Sequence, residues 1–305
     1  MNEPLLDNAT KVVMGLREKF LRARDKIISP SNNSNEDPWV AVIDSLRSLT
    51  ERDYSNANAI EINRAHVGAL TAESIIHNFI GKGYNSTLEE EVAAHAMLVS
   101  DPKIIFDVGA NQGNWSVAAL KRFPNVRVFA FEPSSNNIQS LERFQNEFGN
   151  RLTVINEGAS NMIGRAILHK DADGSGLASL HERELDRYDI KLDKKEDITL
   201  TTLDYICKIH EIEKVDIIKI DVEGHEMKVL EGAVGILDKA KTVQFEFGGT
   251  MLDSRYYFKD FYEFFTKRGF ELYRICRYGF CPVLKYFEHH ESFDGANYIA
   301  YRRNS

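Results

Sequence analysis

The sequence predicts an α/β protein built around a doubly wound, mostly parallel sheet. From residue 103 onward, short apolar segments alternate with amphipathic segments, and the connections between them are short. Strands that are joined by helices in this way lie parallel and are covered on both faces. The last two apolar segments follow each other without a convincing helix, so we expect an antiparallel hairpin at the sheet edge.

Seven segments have the composition of strands, which predicts a seven-stranded sheet. They span residues 104–109, 126–132, 152–159, 215–221, 242–247, 270–277 and 296–303. The spacing of apolar residues between them predicts helices at 114–123, 135–148, 202–210, 226–239 and 261–269. We assign these elements to one domain over residues 85–305.

Residues 1–84 differ from the rest of the chain and are predicted to form a helical N-terminal extension. Apolar residues recur at helical spacing over 12–21 and 39–49, and a loop-like segment separates the two stretches. Such stripes fit a homodimer that forms through these helices. A further helix, with Thr87 near its cap and an acidic first turn, is expected to end near Val99.

Composition limits the function classes. The 305 residues carry a net charge of −8, which argues against a nucleic-acid partner because phosphate neutralisation needs a basic face. Three cysteines, Cys207, Cys276 and Cys281, fit neither a disulfide framework nor a zinc site. No transmembrane segment is expected because no apolar stretch is long enough, and the N-terminus lacks a secretory signal. We therefore expect a cytoplasmic protein.

The first strand ends in a glycine-containing loop, DVGANQG at residues 107–113. Ligands of such sheets bind beyond the carboxyl ends of the strands. Gly109 permits a tight turn and the close approach of a ligand, and Gly113 permits close packing where the next helix begins. A dinucleotide fingerprint reads G-x-G-x-x-G, whereas here an acid, Asp107, lies where phosphate would bind. The loop therefore favours a cofactor with an ammonium group and no phosphate, a description that S-adenosylmethionine fits.

The second strand ends at Glu132, whose carboxylate can accept hydrogen bonds from both ribose hydroxyls of a cofactor. Dinucleotide enzymes use the same device, so Glu132 alone does not separate the two cofactors. A nicotinamide-dependent Rossmann oxidoreductase is therefore the alternative enzyme class, although the glycine spacing disfavours it. A non-catalytic methyltransferase-like scaffold protein is the alternative outside the enzymes.

Ionisable residues crowd the carboxyl end of the strand at 215–221. Asp221, Glu223, His225 and Glu226 follow one another closely, and burying so many charges is costly. The dipole of the next helix could account for Glu223 or Glu226, but it accounts less well for Asp221 and His225. We expect this cluster to face the same crevice as the glycine loop.

Taken together, these motifs resemble the FkbM family of S-adenosylmethionine-dependent methyltransferases. The resemblance covers about residues 85–275 and is carried by IFDVGANQGNWS, VFAFEP, LTTLDYI, VDIIKIDVEGHEMKVLEGA and VQFEF. It implies a class I methyltransferase (Rossmann-like) fold and O-methylation of a hydroxyl on a sugar, polysaccharide or natural-product scaffold. A small-molecule or glycan acceptor is thus the expected partner.

The resemblance also implies which residues contact the cofactor. The methionine part is expected near Asp107, Gly109, Ala110, Asn111 and Gly113. The ribose is expected at Glu132, and the adenine near Glu157, Gly158 and Ala159. Asp221 would line the junction between cofactor and acceptor.

A hydroxyl acceptor favours a general base because its own pKa is far above neutral. His225 is the leading candidate since an unperturbed imidazole titrates near pH 6.5. Asp221 could orient that imidazole or act as the base itself, and Glu246 is a third candidate. In the alternative interpretation, His225 only caps a helix or binds substrate. Asp221, Glu223 and Glu246 could also bind a divalent metal, although their spacing does not demand one.

Residues 171–182 match the calcium-loop pattern of an EF-hand. Such a site needs a helix on each side, and the preceding segment 161–170 is more typical of a strand. We instead expect a flexible loop at 174–180 that helps to cover the acceptor. A solvated, charged insertion is predicted at 181–198.

Overall fold

A computed structural model of the chain describes residues 87–185, 188–276 and 279–303. The chain divides into two compact units, one of Met1–Gly81 and Cys276–Leu284, the other of Lys82–Ile275 and Lys285–Ser305. The predicted helices before residue 85 and the homodimer that they would form lie outside the described residues. No helix in the described ranges is long and apolar enough to cross a membrane.

The main sheet of the larger unit is doubly wound and mostly parallel, as predicted. Its strands are β1 (Ile104–Val108), β2 (Arg127–Phe131), β3 (Leu152–Ile155), β7 (Ile217–Ile220), β8 (Thr242–Phe247), β9 (Glu271–Cys276) and β11 (Ala296–Tyr301). They lie side by side in the order β9-β11-β8-β7-β1-β2-β3. The strands from β8 to β3 pair in parallel, whereas β11 is antiparallel to both β8 and β9. The predicted antiparallel pair, β9 and β11, is therefore present, and β11 also pairs with β8.

A second sheet of three strands flanks the candidate site. It contains β4 (Gly158–Ala159), β5 (Gly164–Lys170) and β6 (Lys194–Thr201), with β6 between the other two. The prediction of one strand over 152–159 was wrong, because β3 and β4 belong to different sheets. The prediction that a charged insertion extends to residue 198 was also wrong at its C-terminal end. There, β6 alternates exposed polar residues with the buried Ile198 and Leu200. These two side chains form a small core with Leu168, which explains how a charged segment becomes a strand.

The helices of the larger unit follow the predicted order. They are α1 (Leu88–Leu98), α2 (Asn114–Arg122), α3 (Ser135–Phe148), α4 (Leu203–Ile209), α5 (Glu226–Glu231), α6 (Val234–Leu237), α7 (Met251–Ser254) and α8 (Phe258–Thr266). Thr87 caps α1 in a capping box with Glu90. The helix predicted over 226–239 is interrupted at Gly232, where the chain approaches the backbone oxygen of Ser160 so closely that a Cβ would lie 2.0 Å from it.

The smaller unit contributes one described strand, β10 (Gly279–Val283). The prediction of seven strands missed it. Its sequence, GFCPV, contains a glycine and Pro282, both of which are depleted in strands and weaken the signal.

The core of the larger unit holds the carboxyl ends of the central strands in place. Trp115 and Leu141 pack with Val128 in a buried apolar cluster. Phe245 of β8 stacks on Phe261 of α8 with ring centroids 4.9 Å apart. Because these side chains are fully or almost fully buried, the loops after β1, β2 and β7 start from a rigid platform.

Candidate cofactor and active site

The loop after β1 turns through two glycines with left-handed backbone angles. Gly109 has φ of +79° and Gly113 has φ of +87°. A Cβ at Gly109 would lie 1.8 Å from the backbone oxygen of Asp221, and one at Gly113 would lie 2.7 Å from Cδ2 of Leu141. Only glycine fits at Gly109, because the ends of β1 and β7 approach each other there without room for a side chain.

A cavity of about 220 Å³ lies at the carboxyl ends of β1, β2 and β7. Six of the predicted cofactor residues line it: Gly109, Asn111, Glu132, Gly158, Ala159 and Asp221. Its wall also includes the apolar side chains of Phe131, Leu168, Leu180 and Ile198. Asp107, Ala110, Gly113 and Glu157 are not among the described residues that line it. The cavity thus combines a carboxylate at each of two strand ends with an apolar wall.

The carboxylate of Glu132 is held in position by the backbone. Its Oε2 accepts a hydrogen bond from the Asn111 amide at 2.8 Å, and its Oε1 accepts one from the Ser134 amide at 2.8 Å. Burial raises the pKa of Glu132, and the hydrogen bond from Ser134 opposes this rise. Each carboxylate oxygen has a further lone pair, so the group can still accept hydrogen bonds from two hydroxyls.

Asp107 is fully buried, and among the described residues only one of its two carboxylate oxygens, Oδ2, accepts a hydrogen bond. Its Oδ2 accepts a hydrogen bond from Ser116 Oγ at 2.6 Å, and its Oδ1 lies 3.3 Å from Lys219 Nζ. Lys219 also lies 3.3 Å from Asp221 Oδ2 and donates to the Gly109 carbonyl at 3.3 Å. Burial disfavours the charge of Lys219, but the attraction of Asp221 and Asp107 outweighs it and raises the lysine pKa. Lys219 was not predicted as a site residue, although a lysine within an otherwise apolar strand was a signal.

Three acidic residues meet beside the cavity, as the metal hypothesis requires. One carboxylate oxygen from each of Asp221, Glu223 and Glu246 lies within 4.8 Å of those of the other two. Burial and then the charge of Asp221 raise the pKa of Glu223 and of Glu246 to about 8 each. Arg183 opposes the rise at Glu223, which accepts a hydrogen bond from its Nη1 at 2.9 Å. The group could therefore hold a divalent cation or, at neutral pH, protons.

Glu226 closes the turn between β7 and α5. Its Oε1 accepts hydrogen bonds from the Val222 amide at 3.0 Å and the Gly224 amide at 3.2 Å. The side chain is completely buried, and this burial raises its pKa to about 8. Glu226 thus fixes the backbone between Asp221 and His225.

His225 lines the cavity next to the acidic group. Its Nε2 lies 2.9 Å from Ser160 Oγ, and its ring centroid lies 5.9 Å from that of His181. Burial, followed by the charges of His181 and Lys228, lowers the pKa of His225 to about 4. The imidazole is therefore neutral at neutral pH and carries a hydrogen on only one of its two nitrogens. Ser160 and His181 were not predicted as site residues, because the small sheet brings them to the site and no local spacing relates them to His225.

The segment after β5 folds as a loop against the site. Ser179 Oγ donates a hydrogen bond to the Glu223 carbonyl at 2.7 Å, and Asn111 Nδ2 donates to the Ser175 carbonyl at 3.4 Å. A strand precedes this loop, as predicted, where an EF-hand would have a helix. The preceding strand is therefore the feature that argues against an EF-hand calcium site.

The chain is similar to several known proteins. The family model described as "Methyltransferase FkbM domain" matches residues 107–272. The 2-O-methyltransferase NoeI of Sinorhizobium fredii is 27% identical over 169 residues, which are 50% of this chain and 68% of that protein. The hexuronic acid methyltransferase AglP of Haloferax volcanii is 25% identical over 142 residues, which are 46% of this chain and 54% of that protein. A fibrillarin pre-rRNA processing protein of Methanococcus jannaschii superposes with a TM-score of 0.41 at 15% identity, over 72% of this chain and 77% of that chain.

Proposed function

The chain belongs to the family of FkbM methyltransferase domains, and from this premise we propose that it transfers a methyl group from S-adenosylmethionine to a hydroxyl of a sugar or natural-product scaffold. The family, the class I fold and the methyltransferase class that the sequence predicts are thereby confirmed. The observation that carries the finer proposal is the cavity itself. It places a backbone-held carboxylate, Glu132, at one strand end and Asp221 with His225 at another.

The residues of the cavity fit S-adenosylmethionine. We assign the ribose hydroxyls to Glu132, whose oxygens are oriented by two backbone amides. The adenine would lie against Gly158 and Ala159 and the apolar side chain of Ile198, which line the same cavity. We assign the amino group to Asp221, since its side chain is 40% exposed. Asp107 would act indirectly, through the buried lysine that it shares with Asp221.

His225 is the proposed general base. S-adenosylmethionine supplies an electrophilic methyl group on a sulfonium, and an alcohol that receives it must lose a proton. Burial lowers the pKa of His225 to about 4, which leaves its ring neutral and able to accept this proton but makes it a weaker base than an unperturbed imidazole. Glu223 and Glu246, with pKa values of about 8, carry protons of their own at neutral pH. We propose that Asp221 binds the cofactor and does not act as the base.

A hydroxylated acceptor is supported by the chemistry of the cavity mouth and by the names of two relatives. Polar groups of His225, Glu223 and Asn111 line the cavity and can exchange hydrogen bonds with several hydroxyls. NoeI is a 2-O-methyltransferase and AglP is a hexuronic acid methyltransferase. We therefore propose a sugar or a similarly hydroxylated scaffold. The absence of a nucleic-acid partner, the cytoplasmic location and a domain boundary at residue 84 stay predictions.

Calorimetric titration of the full chain tests the cofactor first. S-adenosylmethionine and S-adenosylhomocysteine are expected to bind, and NADH is not. Incubation with methyl-labelled S-adenosylmethionine and a panel of sugars, polysaccharide fragments and polyketides then identifies the acceptor. Parallel reactions with EDTA and with added magnesium distinguish metal-assisted transfer from proton transfer to His225. Binding of NADH without binding of S-adenosylmethionine would reject the proposal in favour of an oxidoreductase.

A further inference from the structure

We infer that a chain of hydrogen bonds behind His225 selects the imidazole tautomer in which Nδ1 is unprotonated and Nε2 carries the hydrogen. Its three members are Ser160, Asn161 and Glu231. They are positioning residues that act on the acceptor only through His225. The inference rests on the proposed function for the use of Nδ1 as a base, which requires the His225 side chain to move because Nδ1 is buried in this structure, but the tautomer itself can be measured without any methyl transfer.

The direction of the chain is set by Glu231 at the end of α5. Asn161 Nδ2 lies 3.0 Å from Glu231 Oε2, and Lys228 Nζ lies 2.8 Å from the same oxygen. A carboxylate that pairs with an ammonium group only accepts hydrogen bonds, so the Asn161 amide must present its NH₂ group to Glu231. Its Oδ1 atom then faces Ser160, whose Oγ lies 3.4 Å away and donates a long hydrogen bond to it.

Ser160 transmits this direction to the imidazole. A serine hydroxyl has one hydrogen, and when that hydrogen is donated to Asn161 the oxygen can only accept from its other neighbour. This neighbour is His225 Nε2, at 2.9 Å. Nε2 therefore carries the hydrogen of the neutral ring. The other nitrogen, Nδ1, is buried and has no hydrogen-bond partner among residues 87–185, 188–276 and 279–303.

The polarity of the chain reinforces this tautomer. Burial, His181 and Lys228 all disfavour a charged His225, whereas the negative charge of Glu231 favours it. Every hydrogen bond of the chain is donated away from the ring and toward Glu231, so the polarity of Ser160 and Asn161 extends the effect of that carboxylate.

The backbone around Ser160 is held firmly enough for this role. The Ser160 amide donates to the Thr201 carbonyl at 2.8 Å, at the end of β6. On its other side, Gly232 lies so close to the Ser160 carbonyl that a Cβ would be 2.0 Å from the oxygen. The hydroxyl is thus positioned by two elements before any acceptor binds, as a preorganised site requires.

The tautomer is tested by nitrogen NMR of the full chain labelled with ¹⁵N-histidine. Long-range ¹H–¹⁵N spectra distinguish the two neutral tautomers, and a His225→Gln variant assigns the resonance by its loss. We expect the Nε2-protonated form in the unmodified chain at neutral pH. Ser160→Ala and Asn161→Leu are expected to give a mixture of tautomers, whereas Ser160→Thr keeps the hydroxyl and the single form. Ser292→Ala, which removes an exposed serine hydroxyl, serves as the matched control and leaves the spectrum of His225 unchanged.

Kinetics provide the second measurement once an acceptor is known. The loss of Ser160 or Asn161 should lower kcat by about 10-fold or more while the KM for S-adenosylmethionine stays constant, because proton transfer alone is impaired. Glu231→Gln, at the surface end of the chain, repeats the test if Ser160→Ala does not fold.

Two results would overturn the inference even if the chain is a methyltransferase. One is an Nδ1-protonated His225 in the unmodified chain. The other is an unchanged tautomer in both Ser160→Ala and Glu231→Gln. Conversely, an Nε2-protonated His225 in a chain that does not bind S-adenosylmethionine would support the hydrogen-bond chain and reject the proposed function.

Discussion

Lys219 Nζ lies 3.3 Å from Asp221 Oδ2 at the carboxyl end of β7. The same ammonium group lies 3.3 Å from Asp107 Oδ1 on β1 and donates to the Gly109 carbonyl. One buried cation thus balances two acids and ties the glycine loop to the strand that carries Asp221. The geometry of the proposed cofactor site and its charge balance therefore depend on one side chain.

Replacement of Lys219 by methionine should destabilise the protein strongly. The substitution keeps most of the side-chain volume but leaves the acids at Asp107 and Asp221 without their shared cation, and breaking a buried ion pair costs about 3–5 kcal/mol. Urea denaturation should show this loss, and S-adenosylmethionine should bind more weakly. Lys267→Met removes an exposed lysine that pairs with Glu263 and should change stability by less than about 1 kcal/mol. Equal unfolding midpoints for the two variants would contradict this role of Lys219.

The close approach at Gly109 predicts a large effect from a single methyl group. Gly109→Ala would place Cβ 1.8 Å from the Asp221 backbone oxygen at a residue with φ of +79°. A left-handed angle alone costs a non-glycine residue about 1–2 kcal/mol, and the displaced backbone adds to this. Gly164→Ala is the control because a Cβ there meets nothing within 4 Å. Thermal denaturation should show a much lower Tm for Gly109→Ala than for Gly164→Ala, and similar values would mean that the two strand ends can separate freely.

Much of the fold and part of the site could be predicted because their signals are local. The loop at 107–113 and the cluster at 221–226 each lie within a few residues of a strand end. Parallel strands place such ends at one edge of a sheet, so Glu132 and Asp221 were expected at one cavity, which both line. Glu246 was expected near Asp221 for the same reason, since β8 pairs with β7.

The rest of the site depends on features that no local pattern encodes. Asp107 was expected beside the cofactor. The alternation of side chains along the strand decides on which face of the sheet its carboxylate lies. The other residues of β1 are all apolar, so the sequence does not show which of them face the site. Ser160 and His181 reach His225 through the small sheet. That sheet was not predicted as a unit because β4 has two residues and β6 begins in a charged segment.

The carboxylate of Glu132 should be essential for cofactor binding. In Glu132→Gln, one of the two backbone amides, from Asn111 or Ser134, would face the new NH₂ group instead of an acceptor. The new side chain would either turn away or leave a backbone donor unsatisfied. We therefore expect S-adenosylmethionine to bind at least about 10-fold more weakly, and a 10-fold loss corresponds to about 1.4 kcal/mol of binding free energy. Calorimetry measures this change, with Glu142→Gln on α3 as the control. Unchanged affinity in Glu132→Gln would remove Glu132 from the site.

The buried acid at Glu226 should make the protein less stable as the pH rises. Its folded-state pKa is raised from 4.5 to about 8 by burial. Between these values the folded chain retains a proton that the unfolded chain releases. The contribution of Glu226 is therefore full below about pH 4.5 and is lost as the pH rises through 8, with a slope of at most about 1.4 kcal/mol per pH unit.

Replacement of Glu226 by glutamine tests this pH dependence. The amide oxygen of the new side chain can still accept the hydrogen bonds from the Val222 and Gly224 amides, but the side chain no longer titrates. Urea unfolding measured at several pH values from 5 to 8 should therefore give a shallower fall in stability for Glu226→Gln. Part of the slope should remain, because Glu223 and Glu246 also have raised pKa values of about 8. Glu142→Gln should run parallel to the unmodified protein, and the same parallel course for Glu226→Gln would show that Glu226 does not retain its proton in the folded state.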